Sequence, residues 1–573
     1  MGDSLASITT WRVADFKALG DAELSIPQLT VLAGANSSGK SSVIQSVLMV
    51  AQTVTRGGPI VLNGPLVRLG LPDDVVRDGQ KSVQLGFDVQ LDPSSSPTRR
   101  RQILRVEIAL APDKSNSSLI PVSFNVSDEA NVTRFAATSA RMNGSDADVL
   151  STITSAGEVS YLRVTDIAGG RAPSRMYLGF LGLTPTSLVL HRDANSIVRD
   201  MRGALSTLIQ GDRMAYEVIS ELSSLVRKDA FLKALGIEGP AEQDGRIQSP
   251  PSRWTAKDIA NLSEDQLSAL IERAAAKRAI NEWVQIAPIY SSFGYRASLR
   301  YFRNGILEDT VSSQFDSELQ VLSSIGLALQ EFGGQVRYLG PLRDEPRVVH
   351  GAWDERVQSL PVGIKGELTA EVLTREKDRR IVYRDWDNRS HRHSLPEAVS
   401  MWCSYLGIGD QIRVLDLGKL GRGVNLEVQG RDRDLTTIGV GASQLLPILV
   451  AGISAPPGSI VFVEQPELHL HPSVQSRLAD FFLFARIDVR FVVETHSEYL
   501  ITRIRRRIAE DRFRAAKLQV LFAEQSSSAT VVRNLTVSEL GDFDEWPAGF
   551  FDAQEDDARQ IVRAIQARLA GTA

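Results

Sequence analysis

Leu29-Thr-Val-Leu-Ala33-Gly34-Ala35-Asn36-Ser37-Ser38-Gly39-Lys40-Ser41-Ser42-Val-Ile-Gln-Ser-Val-Leu-Met-Val-Ala-Gln52 decides the fold. Leu29 to Ala33 is short, apolar and β-branched, which predicts a buried strand. From Ser41 to Gln52, the residues Val43, Ile44, Val47, Leu48 and Val50 supply the apolar face of a helix. Between the two lies Gly34-x4-Gly39-Lys40-Ser41, a glycine-rich turn leading from a strand into a helix. In that setting, glycines let backbone N–H groups converge on phosphate oxygens, and the helix dipole adds positive potential. The candidate phosphate-binding residues are Gly34, Ala35, Asn36, Ser37, Ser38, Gly39, Lys40, Ser41 and Ser42. Lys40 is placed to hold terminal phosphates, and the Ser41 hydroxyl to bind Mg²⁺.

Three later stretches extend this reading. Ser459-Ile-Val-Phe-Val-Glu464-Gln465-Pro466-Glu467 is an apolar strand ending in acid, where P-loop enzymes put the carboxylate that orders Mg²⁺; Glu464 fits that role. Phe491-Val-Val-Glu-Thr495-His496-Ser497 is a second such strand, and a neutral His496 at its end could hydrogen-bond a γ-phosphate or the attacking water. Ile438-Gly439-Val-Gly441-Ala442-Ser443-Gln444 opens an apolar helix with small residues, a second anion-binding helix start. One nucleotide needs one P-loop, so a second copy of the chain is the natural owner of the phosphate that Gly441 to Gln444 would cap.

The rest of the chain bounds the answer. It has 573 residues, 43% hydrophobic and 23% charged, with one Cys and a net charge of -5, which excludes disordered, collagen-like and disulfide-stapled classes and indiscriminate polyanion binding. No secretion signal and no long apolar run is present, so a cytoplasmic protein without a membrane segment is expected. Alternating segments from Val83 to about Val164 predict antiparallel strands, and Ala194–Leu235 and Ala256–Ala287 predict helices around an exposed loop at Glu238–Arg253. Apolar strands are expected at Val414–Leu417, Ile460–Val463 and Val489–Val493, and an amphipathic helix at Asp557–Leu569. The expected fold class is α/β, split as 1–90, an inserted β-rich then helical region 91–335, and 336–573, without a long coiled coil.

Asp15-Phe16-Lys17 with Leu29 to Ser42, then Gly439 to Gln444, EQPELHLHP at Glu464 to Pro472 and ETHS at Glu494 to Ser497, resembles the ABC-type ATPases of the SMC/RecF/OLD group. Within it, the chain is similar to the OLD-like ATPases of bacterial antiphage systems such as Septu and PARIS. The resemblance implies an ABC-type head in which two subunits sandwich ATP and Mg²⁺. It makes Gly34 to Ser42 the P-loop, Glu464 the Walker B acid, His496 the switch histidine and Gly441, Ala442, Ser443 and Gln444 a degenerate trans-acting signature. The Q-loop glutamine is not placed. It further implies a separately encoded effector nuclease or toxin as partner, because no C-terminal nuclease site of the OLD kind is legible: Asp542-x-Asp544 has the spacing without the strand context.

One residue departs from the pattern. Where the SMC type has a glutamate that polarises water, this chain has Gln465, and an amide does not accept a proton as a carboxylate does. Hydrolysis is therefore expected to be slow, with Glu464 or Glu467 able to take over. The rival reading is a RecF-like repair protein that contacts nucleic acid through Arg503, Arg505, Arg506, Arg507, Arg512 and Arg514, against which stands an ordinary solvated helix face. A transporter motor is weaker still. His469-x-His471, His391-x-His393 and the glycine turns at Tyr338 to Arg343 and Val362 to Glu367 read as structural or have no assigned role.

Overall fold

The computed structural model describes residues 6–35, 38–91, 102–139, 150, 159–167, 170–172, 175–192, 282–291, 294–303, 306–312, 317–345, 362–416, 421–526, 529–545, 547 and 553–571. The first strands are β1 (Ala6–Ala14), β2 (Leu19–Leu24) and β3 (Leu29–Gly34), followed by helix α1 (Lys40–Arg56), a single turn α2 (Pro72–Val75) and β4 (Val83–Leu91). A run of strands continues as β5 (Gln102–Pro112), β6 (Leu119–Asp128), β7 (Thr133–Thr138), β8 (Val159–Ile167), β9 (Gly170–Arg171), β10 (Met176–Leu181) and β11 (Thr184–Arg192). It closes with β12 (Glu282–Ser291), β13 (Gly294–Arg303) and β14 (Ile306–Ser312). After α3 (Ser317–Gln335) come β15 (Val336–Leu339), α4 (Thr369–Arg375), the hairpin β16 (Arg380–Arg384) and β17 (Ser390–Ser394), and α5 (Leu395–Leu406). Then follow β18 (Ile412–Asp416), β19 (Arg422–Val428), β20 (Arg431–Asp434), α6 (Val440–Ser454), β21 (Ile460–Glu464), α7 (Pro472–Phe484) and β22 (Arg490–Glu494). The chain ends with α8 (Glu498–Ala509), β23 (Leu518–Gln525), β24 (Thr530–Leu535) and α9 (Ala553–Gly571).

Nineteen of these strands form one mixed sheet. Its parallel part runs β15, β21, β22, β3, β23. From β23 the sheet passes through β24 and β2 to β1 and β4, and then as an antiparallel meander from β5 to β14. The β-rich stretch is thus joined to β1 through β4, with no break in the sheet at residue 91.

Strand periodicity sorts the parallel strands between two cores. Leu32, Phe462, Val492 and Leu521 face a cluster with α1 and α3, which includes Val47, Leu48 and Phe332. Their neighbours Val31, Val463, Val493 and Val520 face α5, α6, α7 and α8 through Trp402, Leu449, Phe481 and Ile504. A parallel sheet covered by helices on both faces needs apolar residues at nearly every position, and IVFVE in β21 is buried throughout. Trp11 of β1 stacks between Phe87 and Phe332 at 6.1 and 5.6 Å and donates its indole N–H to Ser46 of α1, which pins the helix carrying the lysine.

Two expectations change. Residues 282–287, expected at the end of a helix, lie in β12, where Glu282-Trp-Val-Gln-Ile286 pairs with β11 and β13; β-branched and aromatic residues are better served there than on a helix. The strand expected at Val414–Leu417 is β18, which belongs to a separate three-stranded antiparallel sheet with β19 and β20 and is largely exposed. The helix expected over 194–235, most of the one over 256–287 and the loop 238–253 lie outside the described residues. Among the described residues no helix exceeds 19 residues, and none is long and apolar enough to cross a membrane.

Candidate functional site

The site grows from the C-terminal ends of β3, β22 and β21. Register fixes its floor: Leu32 of β3 is level with Glu494 of β22, and Glu494 with Glu464 of β21. β22 therefore lies between the strand that feeds the glycine turn and the strand that carries Glu464.

The turn itself is shaped by two glycines. Gly34 has φ 139° and Gly39, the N-cap of α1, φ 84°, both in the region L side chains avoid. A Cβ on Gly34 would sit 2.2 Å from the Ala523 carbonyl oxygen, and one on Gly39 2.9 Å from the Thr530 hydroxyl. Lys40 turns back over the loop, donating to the carbonyls of Ala35 at 2.6 Å and Gly34 at 3.2 Å, with Ser38 Oγ at 3.4 Å. Burial lowers its pKa, while Glu494 and Glu467 raise it. Asn36 and Ser37 lie outside the described residues; Ser42 is in the first turn of α1, where its N–H donates to the Gly39 carbonyl.

Three buried glutamates face this lysine-bearing turn, each with different partners. Glu464 accepts a hydrogen bond from the Tyr338 phenol at 2.9 Å; burial and the neighbouring Glu494 charge push its carboxyl up to about 7, against the opposing phenol bond and Arg343. Glu467 is filled by the switch-strand end: Thr495 Oγ1 donates at 2.8 Å and the His496 N–H at 2.6 Å. Among the described residues the Glu494 carboxylate receives the Ser41 hydroxyl alone, at 3.1 and 2.9 Å from its two oxygens, and burial raises its carboxyl too. Arg343 spends its terminal nitrogens on the carbonyls of Pro341, Glu464 and Gln465, which holds the turn where Gln465 adopts φ 45°. Burial lowers the Arg343 pKa to about 10 despite Glu467 and Glu464. His496 is half-buried, and burial, then Lys40, lowers its pKa, which favours the neutral ring at pH 7.

The small-residue helix start has a split character. Gly439 and Val440 are exposed at the beginning of α6, and Gly441 is partly so. Ala442, Ser443 and Gln444 are buried within the same chain, and Ser443 Oγ donates to the Val440 carbonyl. A Cβ on Gly441 would meet the His469 carbonyl at 3.2 Å, so this helix start abuts the EQPELHLHP turn.

Sequence reasoning missed Tyr338 and Arg343 as members of the site, although their segment stood out as a glycine turn near a returning strand. The motif ETHS was read for its histidine, while its glutamate is the acid that touches Ser41. The signal was present: an acid ending a buried central strand points at whatever lies beyond the strand ends, but only the strand order says that this is Ser41.

Other candidates resolve into structural pairs. Five of the six clustered arginines are engaged: Arg503 and Arg507 with Asp480, Arg505 with Asp542, Arg506 with Glu510 and Arg512 with Asp387. Asp544 caps a local turn by accepting from the Thr536 N–H, while Asp542 donates its own N–H to Ser538 Oγ and pairs its carboxylate with Arg505. His391 pairs with Asp385, His393 with Tyr383, and His471 caps α7 through Ser473.

Residues 406–502 match the family model described as "AAA domain, putative AbiEii toxin, Type IV TA system". The matched stretch takes in α6, EQPELHLHP and ETHS and leaves out the turn at 34–42. No curated protein matches the chain in sequence. Among solved structures, the Smc head domain with an extended coiled coil bound to the C-terminal domain of ScpA, from Pyrococcus furiosus, is similar at 11% identity and TM-score 0.34, over 98% of this chain and 100% of that one. The SMC head domain from Thermotoga maritima is similar at 8% identity and TM-score 0.30, over 93% and 100%.

Proposed function

We propose that the chain is an ABC/SMC-like ATPase whose nucleotide state controls a partner effector, a nuclease or toxin encoded separately, in bacterial antiphage defence. The observation that carries the ATPase part is the meeting of Lys40 and Ser41, at the start of α1, with Glu464, Glu467, Glu494 and His496 on the two neighbouring strand ends. In this reading the loop amides and Lys40 bind the phosphates. Ser41 and a strand-end acid hold Mg²⁺, which neutralises charge on the phosphates. Neutral His496 contacts the γ-phosphate or the attacking water.

A second copy of the chain completes the site in this proposal. Its exposed Gly439, Val440 and Gly441 N–H groups meet the phosphate, while Ala442, Ser443 and Gln444 seat the helix start from within. The defence role rests on the resemblance of the motifs and on the AAA match. The nucleic-acid alternative is weakened, because five of its six arginines already pair with acids of the same chain.

The test is titration of the purified chain with ATP in the presence of Mg²⁺, together with steady-state hydrolysis. Wild type binds and turns over slowly. Gln465→Glu, which restores a proton acceptor beside the acid Glu464, raises kcat at least tenfold, as expected of a general base worth roughly 10²–10⁴ in rate. A rate equal to wild type removes residue 465 from the water's surroundings, and absence of ATP binding by wild type ends the ATPase reading.

A further inference from the structure

We propose that Glu494, and not Glu464, is the carboxylate that faces the divalent cation at Ser41. The inference rests on the ATP reading above and assigns the metal side of the same site. Its basis is a count of donors. A serine hydroxyl carries one proton, yet both oxygens of Glu494 lie within 3.1 Å of Ser41 Oγ. Glu494 is 3% exposed, so water does not freely supply the missing donors.

Each other acid has its own donor. Glu467 takes one hydrogen bond on each oxygen, from Thr495 and from the His496 N–H. Glu464 takes the phenol of Tyr338. The neighbouring cations give Glu494 no hydrogen bond among the described residues: Lys40 bonds to the loop carbonyls, and the terminal nitrogens of Arg343 to three backbone carbonyls. The place between Ser41 and Glu494 is therefore rich in acceptors and poor in donors, the arrangement a hard cation relieves. In a P-loop the hydroxyl at the Ser41 position offers an oxygen lone pair to the metal and keeps its single proton, which satisfies at most one Glu494 oxygen at a time. The cation, or a water bound to it, would take the other oxygen. Glu464, one strand further from the loop and tied to Tyr338, stays behind as a wall of the site.

The experiment uses the full chain with Mn²⁺ as probe, followed by electron paramagnetic resonance in the presence of saturating ATP. ATP affinity is measured in parallel with a fluorescent analogue in EDTA. Glu494→Gln is expected to weaken Mn²⁺ at least tenfold, with metal-free ATP affinity within threefold of wild type. Glu464→Gln is expected to change Mn²⁺ affinity by no more than threefold. Glu494→Asp, which keeps the charge and shortens the arm, gives an intermediate loss and serves if the amide variant fails to fold. Wild-type Mn²⁺ affinity in Glu494→Gln and Glu494→Asp, or a tenfold loss confined to Glu464→Gln, overturns the assignment. Failure of the wild-type chain to bind ATP in EDTA and in Mn²⁺ overturns the ATP reading instead, so the two failures are distinct.

Discussion

Lys40→Ala lowers ATP affinity by two orders of magnitude or more while the chain remains folded. Each charge-assisted hydrogen bond from a buried ammonium is worth about 1.5–3 kcal/mol, and two to the terminal phosphates make about 3–6 kcal/mol, a factor of roughly 10²–10⁴ in Kd. The folded chain has less at stake. Among the described residues, Lys40 Nζ there bonds to the Gly34 and Ala35 carbonyls and the Ser38 hydroxyl, all within the turn itself. Burial lowers its pKa, against Glu494 and Glu467, and a binding phosphate adds negative charge that would favour the ammonium further. Isothermal titration calorimetry on both proteins reads affinity directly, with circular dichroism as the check on folding. Affinity equal to wild type would falsify the site.

Asp480→Ala has the largest expected effect on stability, about 3–5 kcal/mol, because it leaves Arg503 without its acid and Arg507 with Glu510 alone. Asp480 is fully buried on α7 and bonds to Arg507 at 2.6 and 2.9 Å, to Arg503 at 2.7 and 3.1 Å and to the Tyr405 hydroxyl. Burial alone would raise its carboxyl pKa. The hydrogen bonds from Arg507, Arg503 and Tyr405 outweigh that, and the net shift is downward. A lowered folded-state pKa means that this stabilisation is present above the unfolded value, near pH 4, and is lost as pH falls through the folded one. Urea denaturation at pH 7 should show a decreased midpoint for the variant. The gap from wild type should narrow in acid; an unfolding free energy within about 0.5 kcal/mol of wild type at pH 7 would show the network to be dispensable.

The parts of this molecule that were legible in the sequence are those set by local pattern. The turn from Gly34 to Ser41, the strands at Ile460–Glu464 and Arg490–Glu494 and the C-terminal amphipathic helix each announce themselves by period or by glycine placement. What stayed hidden depends on which strands become neighbours. Nothing within Tyr338-Leu-Gly-Pro-Leu-Arg343 says that its phenol and guanidinium will reach residues 464 and 465, since that needs β15 paired in parallel with β21. The same holds for Glu494, whose partner lies 453 positions away. Trp283 and its neighbours read as helix because their alternation is short, and pairing on both sides decided for strand.

The glycine contacts described above also say how the chain must be kept whole. The phosphate turn leans on Ala523 and Thr530, from a hairpin that follows every recognisable motif, so its tight path is moulded by a late-synthesised wall. A nascent or truncated chain that stops before residue 518 carries the full set of signature residues and yet has no mould for the turn. Ribosome-bound or proteolysed fragments of that length should accordingly be silent towards nucleotide, which makes completion of translation a built-in licence for the site.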